Sequence, residues 1–549
     1  MFFFKKKNQK TSAPLRAELT RRGLITALAA LPTAASAQSA LGTSSVPSTS
    51  PAALPENPQK PSGGDTVAPP YRRAVITRWG DAVLPDAPPF NPFLLTPEQA
   101  GEEFPYDAIL AGLITPPPAQ DGISRLVAVF ANPYPNPAML YPSGQDNPQI
   151  SGKMQGATVL NLQRQNGAWL FAAGGYQNRR LTDGTLCQIT GPVGNILGGT
   201  VQGLLGPAAG CTTPWATALL AEGDPQILIP ALAGTEFGFA NPANGAKFGW
   251  IAEFNPLDPS SFPIKRTALG RFPRAGLLAT QTADGRPVIF MSHDAPAGFL
   301  FRFIAATGAT DGTALDSGTL AAAKITGSQI TWLDLPQNTG TYAGTISAAQ
   351  TAGASPFDSP AGLALGLDGT LYLACRGNSG RTVPDALNPR ANDDNGHIIA
   401  FTFDNNGLTS KTYTGRIVLA AGNPATAQGT QYTQGSTAWL RQPATLDIDQ
   451  EGQLWVGTNQ EGSITASADG LFTLQTAGPS KYLLNAAYFA PIGAAIGAAA
   501  FDAATNAIFA VVRHPGATPN ASFAAPATRW PTMRANFPPQ TTYINLSNS

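Results

Sequence analysis

The sequence predicts an all-β fold of the β-propeller type with long loop insertions. The chain has 549 residues, of which 57 are Gly and 50 are Pro. Turn-forming residues spread so evenly imply many short elements with tight connections. Short apolar strands follow many of these turns, and long polar loops separate some of them. Hairpins that recur irregularly along a long chain favour a propeller, and a pair of β-sandwiches is the alternative.

The recurring unit is a turn containing Gly or Asn, followed by an alternating apolar strand that often carries an aromatic residue. Asp-Gly and Asn-Gly supply the positive φ angles that tight hairpins require. Long polar loops of a propeller gather at one end of its central channel, so we expect a functional site there. The copies lie at residues 166–170, 284–289, 368–372 and 451–455, with a degenerate copy at 505–509.

The N-terminus has the features of an export signal. A basic start precedes Arg21-Arg22 and an Ala-rich apolar run, and Ala35-Ser36-Ala37 fits a small-x-small cleavage site. The arginine pair is typical of twin-arginine signals, so residues 1–37 are predicted to engage the twin-arginine export machinery. The run is shorter than the ~20 residues that span a bilayer, which disfavours a membrane anchor. We expect a periplasmic or secreted protein with no transmembrane segment in its mature chain.

Two further regions follow from composition. Residues 38–70 are rich in Pro, Ser and Ala with few large apolar residues, which predicts a disordered linker. Residues 71–549 are predicted to form the propeller domain. The formal net charge is +0 and only 12% of residues are charged, which argues against nucleic acid or an anionic membrane as partner. Cys187, Cys211 and Cys375 match no zinc motif.

A long polar loop joins two apolar strands near residues 371–374 and 397–401. Loops of this length are uncommon unless they are functional or disordered. Its guanidinium and amide groups suit an anion such as phosphate or carboxylate. The alternative is a solvated loop whose arginines pair with its own aspartates. The polar residues are Arg376, Asn378, Arg381, Asp385, Asn388, Arg390, Asn392, Asp393 and Asp394.

Residues 388–399, NPRANDDNGHII, resemble a signature of the PhoX-type alkaline phosphatases. Further blocks in the same order resemble that family at residues 71–81, 174–192, 213–217, 248–272, 315–320, 513–516 and 529–531. The resemblance implies a six-bladed propeller outside the cytoplasm that hydrolyses phosphomonoesters on a calcium and iron cluster. It implies a small anionic or phosphorylated substrate.

The resemblance and the loop chemistry together give a set of candidate site residues. Arg390 and Arg376 are the candidate catalytic arginines, which would clamp the phosphate. Asn388, Asn392 and Asn378 are the candidate substrate-binding residues. The candidate metal ligands are Glu222, Asp294 and Cys211, and Asp107 and His293 could add to them. We expect Glu222, Asp294, Arg390 and Asn392 to approach one mouth of the channel.

Several positions that carry metal ligands in the family hold other residues here. They are Asn132, Ala208, Gly223, Ala275, Ala295 and Ala444. Calcium takes six to eight oxygen ligands, so each lost carboxylate weakens a cluster. Glu222 and Asp294 could equally be rim carboxylates bonded to backbone. Two functions therefore stay open: a metal-dependent phosphatase, or a catalytically degenerate propeller that binds an anionic ligand or a protein partner.

Overall fold

The structure is a computed structural model that describes residues 60–463 and 467–548. The predicted export signal and most of the predicted linker lie outside the described residues. In the described part of the linker, Thr66–Val67 forms a short strand that pairs with residues 488–489. No helix in the described ranges has the length and apolarity that a membrane crossing requires.

The described residues are mostly β-strands. In chain order they are β1 Thr66–Val67, β2 Tyr71–Arg78, β3 Ile109–Ile114, β4 Arg125–Asn132, β5 Gly156–Gln165, β6 Ala168–Phe171, β7 Arg179–Leu181, β8 Leu186–Thr190, β9 Thr200–Gln202, β10 Ala209–Thr212, β11 Ala218–Ala221, β12 Ile251–Phe254, β13 Ile264–Arg266, β14 Arg274–Gln281, β15 Pro287–His293, β16 Ala297–Gly298, β17 Leu300–Ala305, β18 Gly318–Thr326, β19 Gln329–Asp334, β20 Phe357–Asp358, β21 Pro360–Leu365, β22 Leu371–Cys375, β23 His397–Phe403, β24 Thr412–Ala420, β25 Pro443–Ile448, β26 Leu454–Thr458, β27 Gly470–Leu474, β28 Leu484–Phe489, β29 Ala495–Asp502, β30 Ala507–Arg513 and β31 Thr542–Asn548.

The helices are short and lie in the connections between strands. They are α1 Pro97–Glu102, α2 Pro137–Leu140, α3 Pro148–Met154, α4 Pro225–Ala231, α5 Thr339–Ala343 and α6 Thr345–Ala352. Short 3₁₀ segments cover Phe237–Ala240, Pro242–Lys247, Thr267–Leu269, Ala314–Asp316 and Gly407–Thr409. The first four α-helices begin with Pro after a Thr, Asn or Asp cap, which satisfies the free N–H groups of their first turns.

The strands form sheets in cyclic order around a channel, and their pairs are antiparallel except for the parallel pair of β8 and β13 among the described residues, so the predicted propeller-type fold is confirmed. For reference we number six groups of strands as blades 1 to 6: β3–β7, β8–β13, β14 and β15 with β17–β19, β21–β24, β25–β28 with β1, and β29–β31 with β2. The strands β16 and β20 form a separate two-stranded sheet. Blades 3 and 4 share one sheet because β19 pairs with β24. One strand of each blade, which we call the inner strand, contacts the inner strand of the next blade, and the last contacts the first. In order the inner strands are β3, β10, β14, β21, β25 and β29.

The N-terminal strand β2 closes the ring. It pairs antiparallel with β31, which pairs with β30, so the second strand and the last strand of the described chain share blade 6. Apolar clusters fill the spaces between neighbouring blades. In one of them Leu219 and Trp250 of blade 2 pack with Met291 and Phe301 of blade 3, all buried. Because both faces of the middle strands are covered, these strands are almost entirely apolar in sequence.

One end of the channel collects the loops that matter for function. In each blade the inner strand starts where the second strand ends, because the two strands are antiparallel. The pairs at this end are Ile109 with Ala131, Ala209 with Ala221, Arg274 with His293, Pro360 with Cys375, Pro443 with Thr458 and Ala495 with Arg513. We call this end the mouth. It is formed by residues just before the inner strands and just after the second strands.

Candidate functional site at the mouth of the channel

Glu222 lies directly after β11 at the mouth, but its carboxylate points into the protein and is fully buried. Its Oε1 accepts the Leu205 N–H at 2.9 Å and the Lys265 ammonium at 2.7 Å. Its Oε2 accepts the N–H groups of Gly249 at 2.9 Å and Trp250 at 3.2 Å. A carboxylate offers about four lone-pair positions, so these four donors leave Glu222 no oxygen for a metal ion.

Asp294 follows β15 and is the more accessible of the two candidate acids. Arg376, which follows β22, donates from Nη2 to Asp294 at 3.3 Å and from Nη1 to Glu461 at 2.9 Å. One guanidinium therefore links blades 3, 4 and 5 across the mouth. Next to Asp294, burial lowers the pKa of His293 to about 4, so this imidazole is neutral at physiological pH.

Asp107 precedes β3 and is joined to Arg513, the last residue of β30. The guanidinium donates from Nε at 2.8 Å and from Nη2 at 2.6 Å to the two carboxylate oxygens, a bidentate pair. Burial alone would raise the pKa of Asp107, but the charge and hydrogen bonds of Arg513 bring it below the ordinary value. The pair connects blade 1 to blade 6, so this acid too is already neutralised by a cation.

Arg390 holds the long loop between β22 and β23 together. Its Nη1 donates to the Ala421 carbonyl at 2.6 Å, and its Nη2 donates to the Gly396 carbonyl at 2.6 Å and to Asp393 at 2.9 Å. Burial would raise the pKa of Asp393, but His397 and Arg390 lower it to about 2. The structure therefore gives both Nη groups of Arg390 partners within the protein, while its buried Nε has none among the described residues.

The candidate substrate-binding amides also bond mainly within this loop. Asn388 is fully buried, where its Oδ1 accepts the Asp358 N–H at 3.0 Å and its Nδ2 donates to Asp385 at 2.8 Å. Asn378 accepts the Gly380 N–H at 2.9 Å. Asn392 is exposed, and its left-handed backbone has φ 50°. Pairing of the loop's arginines with its own aspartates, the alternative that the sequence left open, is present at Arg390.

Two arginines near the mouth, the buried Arg274 and the half-buried Arg180, carry charge without a carboxylate partner among the described residues. Arg274, at the start of β14, donates to the carbonyls of Leu269, Gly270 and Phe272 at 2.7–2.9 Å. Arg180 donates to Asn132 Oδ1 at 2.6 Å and to several carbonyls. Burial lowers the pKa of each to about 9, so both stay protonated at neutral pH.

Neither arginine was predicted as a site residue. Arg274 stands in the block that includes Ala275, and Asn132 occupies another position where the family carries an acid. An arginine at or beside a position that has lost its acid is a signal that the sequence does contain. The backbone carbonyls that accept hydrogen bonds from each guanidinium are brought together by packing of distant segments. Sequence reasoning therefore could not show which groups accept hydrogen bonds from these two guanidinium groups.

Cys211, the remaining candidate ligand, lies on β10 and is half-buried. Burial raises the pKa of its thiol to about 12, whereas metal binding requires the thiolate. Among residues 60–463 and 467–548, no group of three or more His, Cys, Asp or Glu side chains is arranged to hold a metal ion. The acids at the mouth are paired with Lys265, Arg376 and Arg513, so the residues present do not fit a calcium and iron cluster.

The structure brings only part of the predicted site together. Glu222, Asp294, Arg390 and Asn392 all follow the second strands of their blades, so their backbones belong to the mouth end. Arg376 and Asp294 are in direct contact. Glu222 and Arg390 instead bond to groups close to them, as described above. Their assignment to a common ligand site stays a prediction.

The fold and the mouth together define a β-propeller with a polar, arginine-rich site at one end of its channel. The sequence profile of the family described as alkaline phosphatase PhoX matches residues 54–516. This match covers most of the chain, and the protein belongs to the PhoX alkaline phosphatase family. No curated protein matches the sequence significantly.

One solved structure supports the same fold. PhoX of Pseudomonas fluorescens, in complex with vanadate as a transition state analogue, has a TM-score of 0.79 and 22% sequence identity. The alignment covers 90% of this chain and 98% of that one. A protein of unknown function from Dyadobacter fermentans covers 88% of this chain and 100% of that chain, with 10% identity and a TM-score of 0.37. That score is too low to support any conclusion about fold or function.

Proposed function

We propose that the protein is an exported PhoX-family protein that binds a small phosphorylated compound at the mouth of the channel. The observation that carries this proposal is the set of arginines that a PhoX-family propeller gathers there. Arg274 begins the inner strand of blade 3, and Arg376 directly follows the second strand of blade 4. Arg390 lies further along the loop after that second strand, and Arg441 lies just before the inner strand of blade 5. Planar guanidinium groups suit phosphoryl oxygens, which they can bind in a bidentate manner.

Arg376 is well placed to orient such a ligand. Asp294 and Glu461 hold its guanidinium from two sides, so the group is fixed before a ligand arrives and little side-chain entropy is lost on binding. The same acids repel negative charge, and this repulsion would favour a phosphomonoester over a compound that carries more negative charge. Arg376 therefore acts in this proposal as a fixed donor at the wall of the site.

Hydrolysis is expected to be weak. The acids that could support metal-dependent chemistry are Glu222, Asp107 and Asp294, and each is bonded to a lysine or arginine at 2.6–3.3 Å. A ligand can bind to the remaining arginines without these acids. Binding without efficient turnover is therefore the function that this donor set supports best.

The second candidate is metal-dependent phosphomonoester hydrolysis: the family name gives the phosphatase activity, and the sequence resemblance implies the metal dependence. The profile match along residues 54–516 favours it. It requires several of the buried ion pairs to open and their acids to turn toward the mouth. The two candidates differ in whether chelation of metal ions changes turnover.

One experiment separates the candidates. Purified protein is incubated with p-nitrophenyl phosphate, with calcium and iron supplied or with a chelator, while binding of a non-hydrolysable phosphonate analogue is measured by calorimetry. We expect binding in both conditions and slow or absent hydrolysis. Fast hydrolysis that the chelator abolishes would establish the second candidate. Absence of both binding and hydrolysis would remove the proposed function.

Residues 1–37 lie outside the described structure, so export through the twin-arginine route remains part of the proposal. The Arg21-Arg22 pair and the Ala35-Ser36-Ala37 site support it. Replacing both arginines by lysine should leave uncleaved precursor in the cytoplasm of the native host. A variant that is exported and processed normally would show that another route is used.

A further inference from the structure

Arg441 differs from the other arginines of the mouth. The guanidinium groups of Arg274, Arg376, Arg390 and Arg513 all donate hydrogen bonds to carbonyls or carboxylates. The side chain of Arg441 is half-buried and makes no hydrogen bond or ion pair with any described residue. Its Nε is buried without a partner, as are those of Arg274, Arg376 and Arg390, but in Arg441 the two Nη groups have no described partner either. Buried donors are nearly always satisfied in native proteins. An unsatisfied, charged donor therefore indicates a group that a ligand or water completes.

The position of Arg441 is fixed by the backbone around it. It stands two residues before Pro443, the first residue of the inner strand β25, and so belongs to the mouth. Gln442 between them has a φ of 49°, a left-handed conformation that a side-chain-bearing residue before proline rarely adopts. Hydrogen bonds from Gln442 N–H to the Asn395 carbonyl and from Asn459 N–H to the Gln442 carbonyl hold this conformation. Such strain persists where the surrounding structure enforces it, commonly at functional sites.

The acid near Arg441 does not neutralise it. Asp469 is buried, and burial raises the pKa of its carboxyl to about 6 although Arg441 and several hydrogen bonds oppose the rise. Its oxygens accept from Thr458 Oγ1 at 2.7 Å and from the Gln460 N–H at 3.0 Å. No ion pair joins Asp469 to Arg441 among the described residues. The guanidinium therefore keeps its donors for another group.

Resting on the proposed function, we propose that Arg441 clamps the phosphoryl group of the ligand, and that the site needs no metal ion to do so. The fixed charge of Arg274, which has no acid partner in the described ranges, adds positive potential in blade 3. Arginines then supply the positive charge that a metal ion would otherwise bring to the phosphate. A guanidinium with unused Nη donors can form two parallel bonds to a phosphoryl group.

The test measures binding of inorganic phosphate by calorimetry in the presence of a chelator. The variants are Arg441→Ala, Arg441→Lys and the control Arg286→Ala. Arg286 pairs with Asp284 in the turn between β14 and β15, at the opposite end of blade 3 from the mouth. We expect Arg441→Ala to weaken phosphate binding about tenfold or more, Arg441→Lys to weaken it less, and Arg286→Ala to leave it unchanged.

Folding is checked on the same samples. Because the Arg441 guanidinium has no partner in the described structure, Arg441→Ala should keep the thermal unfolding midpoint of the wild type. Phosphate binding by Arg441→Ala equal to that of the wild type would overturn the inference. Loss of wild-type binding on chelation would overturn it as well. If Arg441→Ala is unstable, the Arg441→Lys result decides: an affinity equal to the wild type rejects a bidentate clamp.

A second arm separates this inference from the proposed function. The same titrations are repeated with a phosphonate analogue of a phosphomonoester. If inorganic phosphate depends on Arg441 but the analogue does not bind, the clamp stands and the proposed ligand is wrong. If the analogue binds equally to wild type and Arg441→Ala, the proposed function stands and the clamp is wrong.

Discussion

The buried pair of Glu222 and Lys265 offers the most informative single perturbation. Both side chains are fully buried, their charged atoms are 2.7 Å apart, and the Lys265 ammonium also lies 3.9 Å from the ring centre of Phe248. Lys265→Met removes the ammonium and leaves Glu222 charged in an apolar region. Breaking such a pair costs about 3–5 kcal/mol of stability.

The comparison uses a matched surface pair. Lys411 and Asp334 are 2.5 Å apart but largely exposed, so Lys411→Met should cost less than about 1 kcal/mol. The double variant Glu222→Gln with Lys265→Met removes both charges, and it should recover much of the loss. Urea unfolding, followed by circular dichroism and by Trp fluorescence, gives the free energies if the two transitions coincide.

The result also bears on metal binding. If Glu222 serves as a metal ligand in the native protein, calcium or iron should stabilise the wild type, and Glu222→Gln should abolish that effect. Our reasoning predicts no such stabilisation. A Lys265→Met variant as stable as Lys411→Met, or a strong metal-dependent rise in wild-type stability that requires Glu222, would refute it.

Two further predictions concern charges between blades. Burial raises the pKa of Asp447 to about 8 in the folded protein, whereas its value in the unfolded chain is near 4. Between these two pH values the folded protein therefore binds one more proton than the unfolded chain does. The free energy of unfolding should fall as pH rises from about 4 to 8. Asp447→Asn should therefore melt close to the wild type at pH 4 and at a higher temperature at pH 9; equal melting at both would reject this assignment. Arg513 lowers the pKa of Asp107, so their pair stabilises the fold above the ordinary carboxyl pKa and is lost as pH falls through the lowered value. Arg513→Ala should lower the free energy of unfolding by about 3–5 kcal/mol at neutral pH, as measured by urea unfolding. A change near zero would show that the pair does not stabilise the contact between blades 1 and 6.

The turn chemistry of the sequence predicted the strands better than their places in the blades. The turns at Asp284-Gly285, Asp368-Gly369 and Glu451-Gly452 each join an inner strand to the second strand of its blade. The turn at Asn166-Gly167 joins β5 to β6 at the outer side of blade 1 instead. A tight turn depends on local φ angles, which Asn and Gly supply anywhere, so it cannot show which hairpin of a blade it closes.

The site shows the limits of local pattern more clearly. The loop at residues 376–394 was recognised from its polar residues, yet the partners of Arg390 and Asn388 are set by how the loop folds on itself. Nothing in the local sequence near the strand starts distinguishes Lys265 and Arg274, because only the packing of distant segments buries them. Because an ion pair depends on distances across blades, the sequence could indicate which acids remain but not that each is already paired.

The central claim is that side-chain cations, and not metal ions, balance the acids of this PhoX-family site. Elemental analysis of protein exported in its native host tests it most directly, with calorimetric phosphate binding measured on the same sample. We predict iron and calcium well below one equivalent per chain, together with phosphate binding that persists in chelator. Iron and calcium near stoichiometric amounts, lost together with phosphate binding on chelation, would contradict the account.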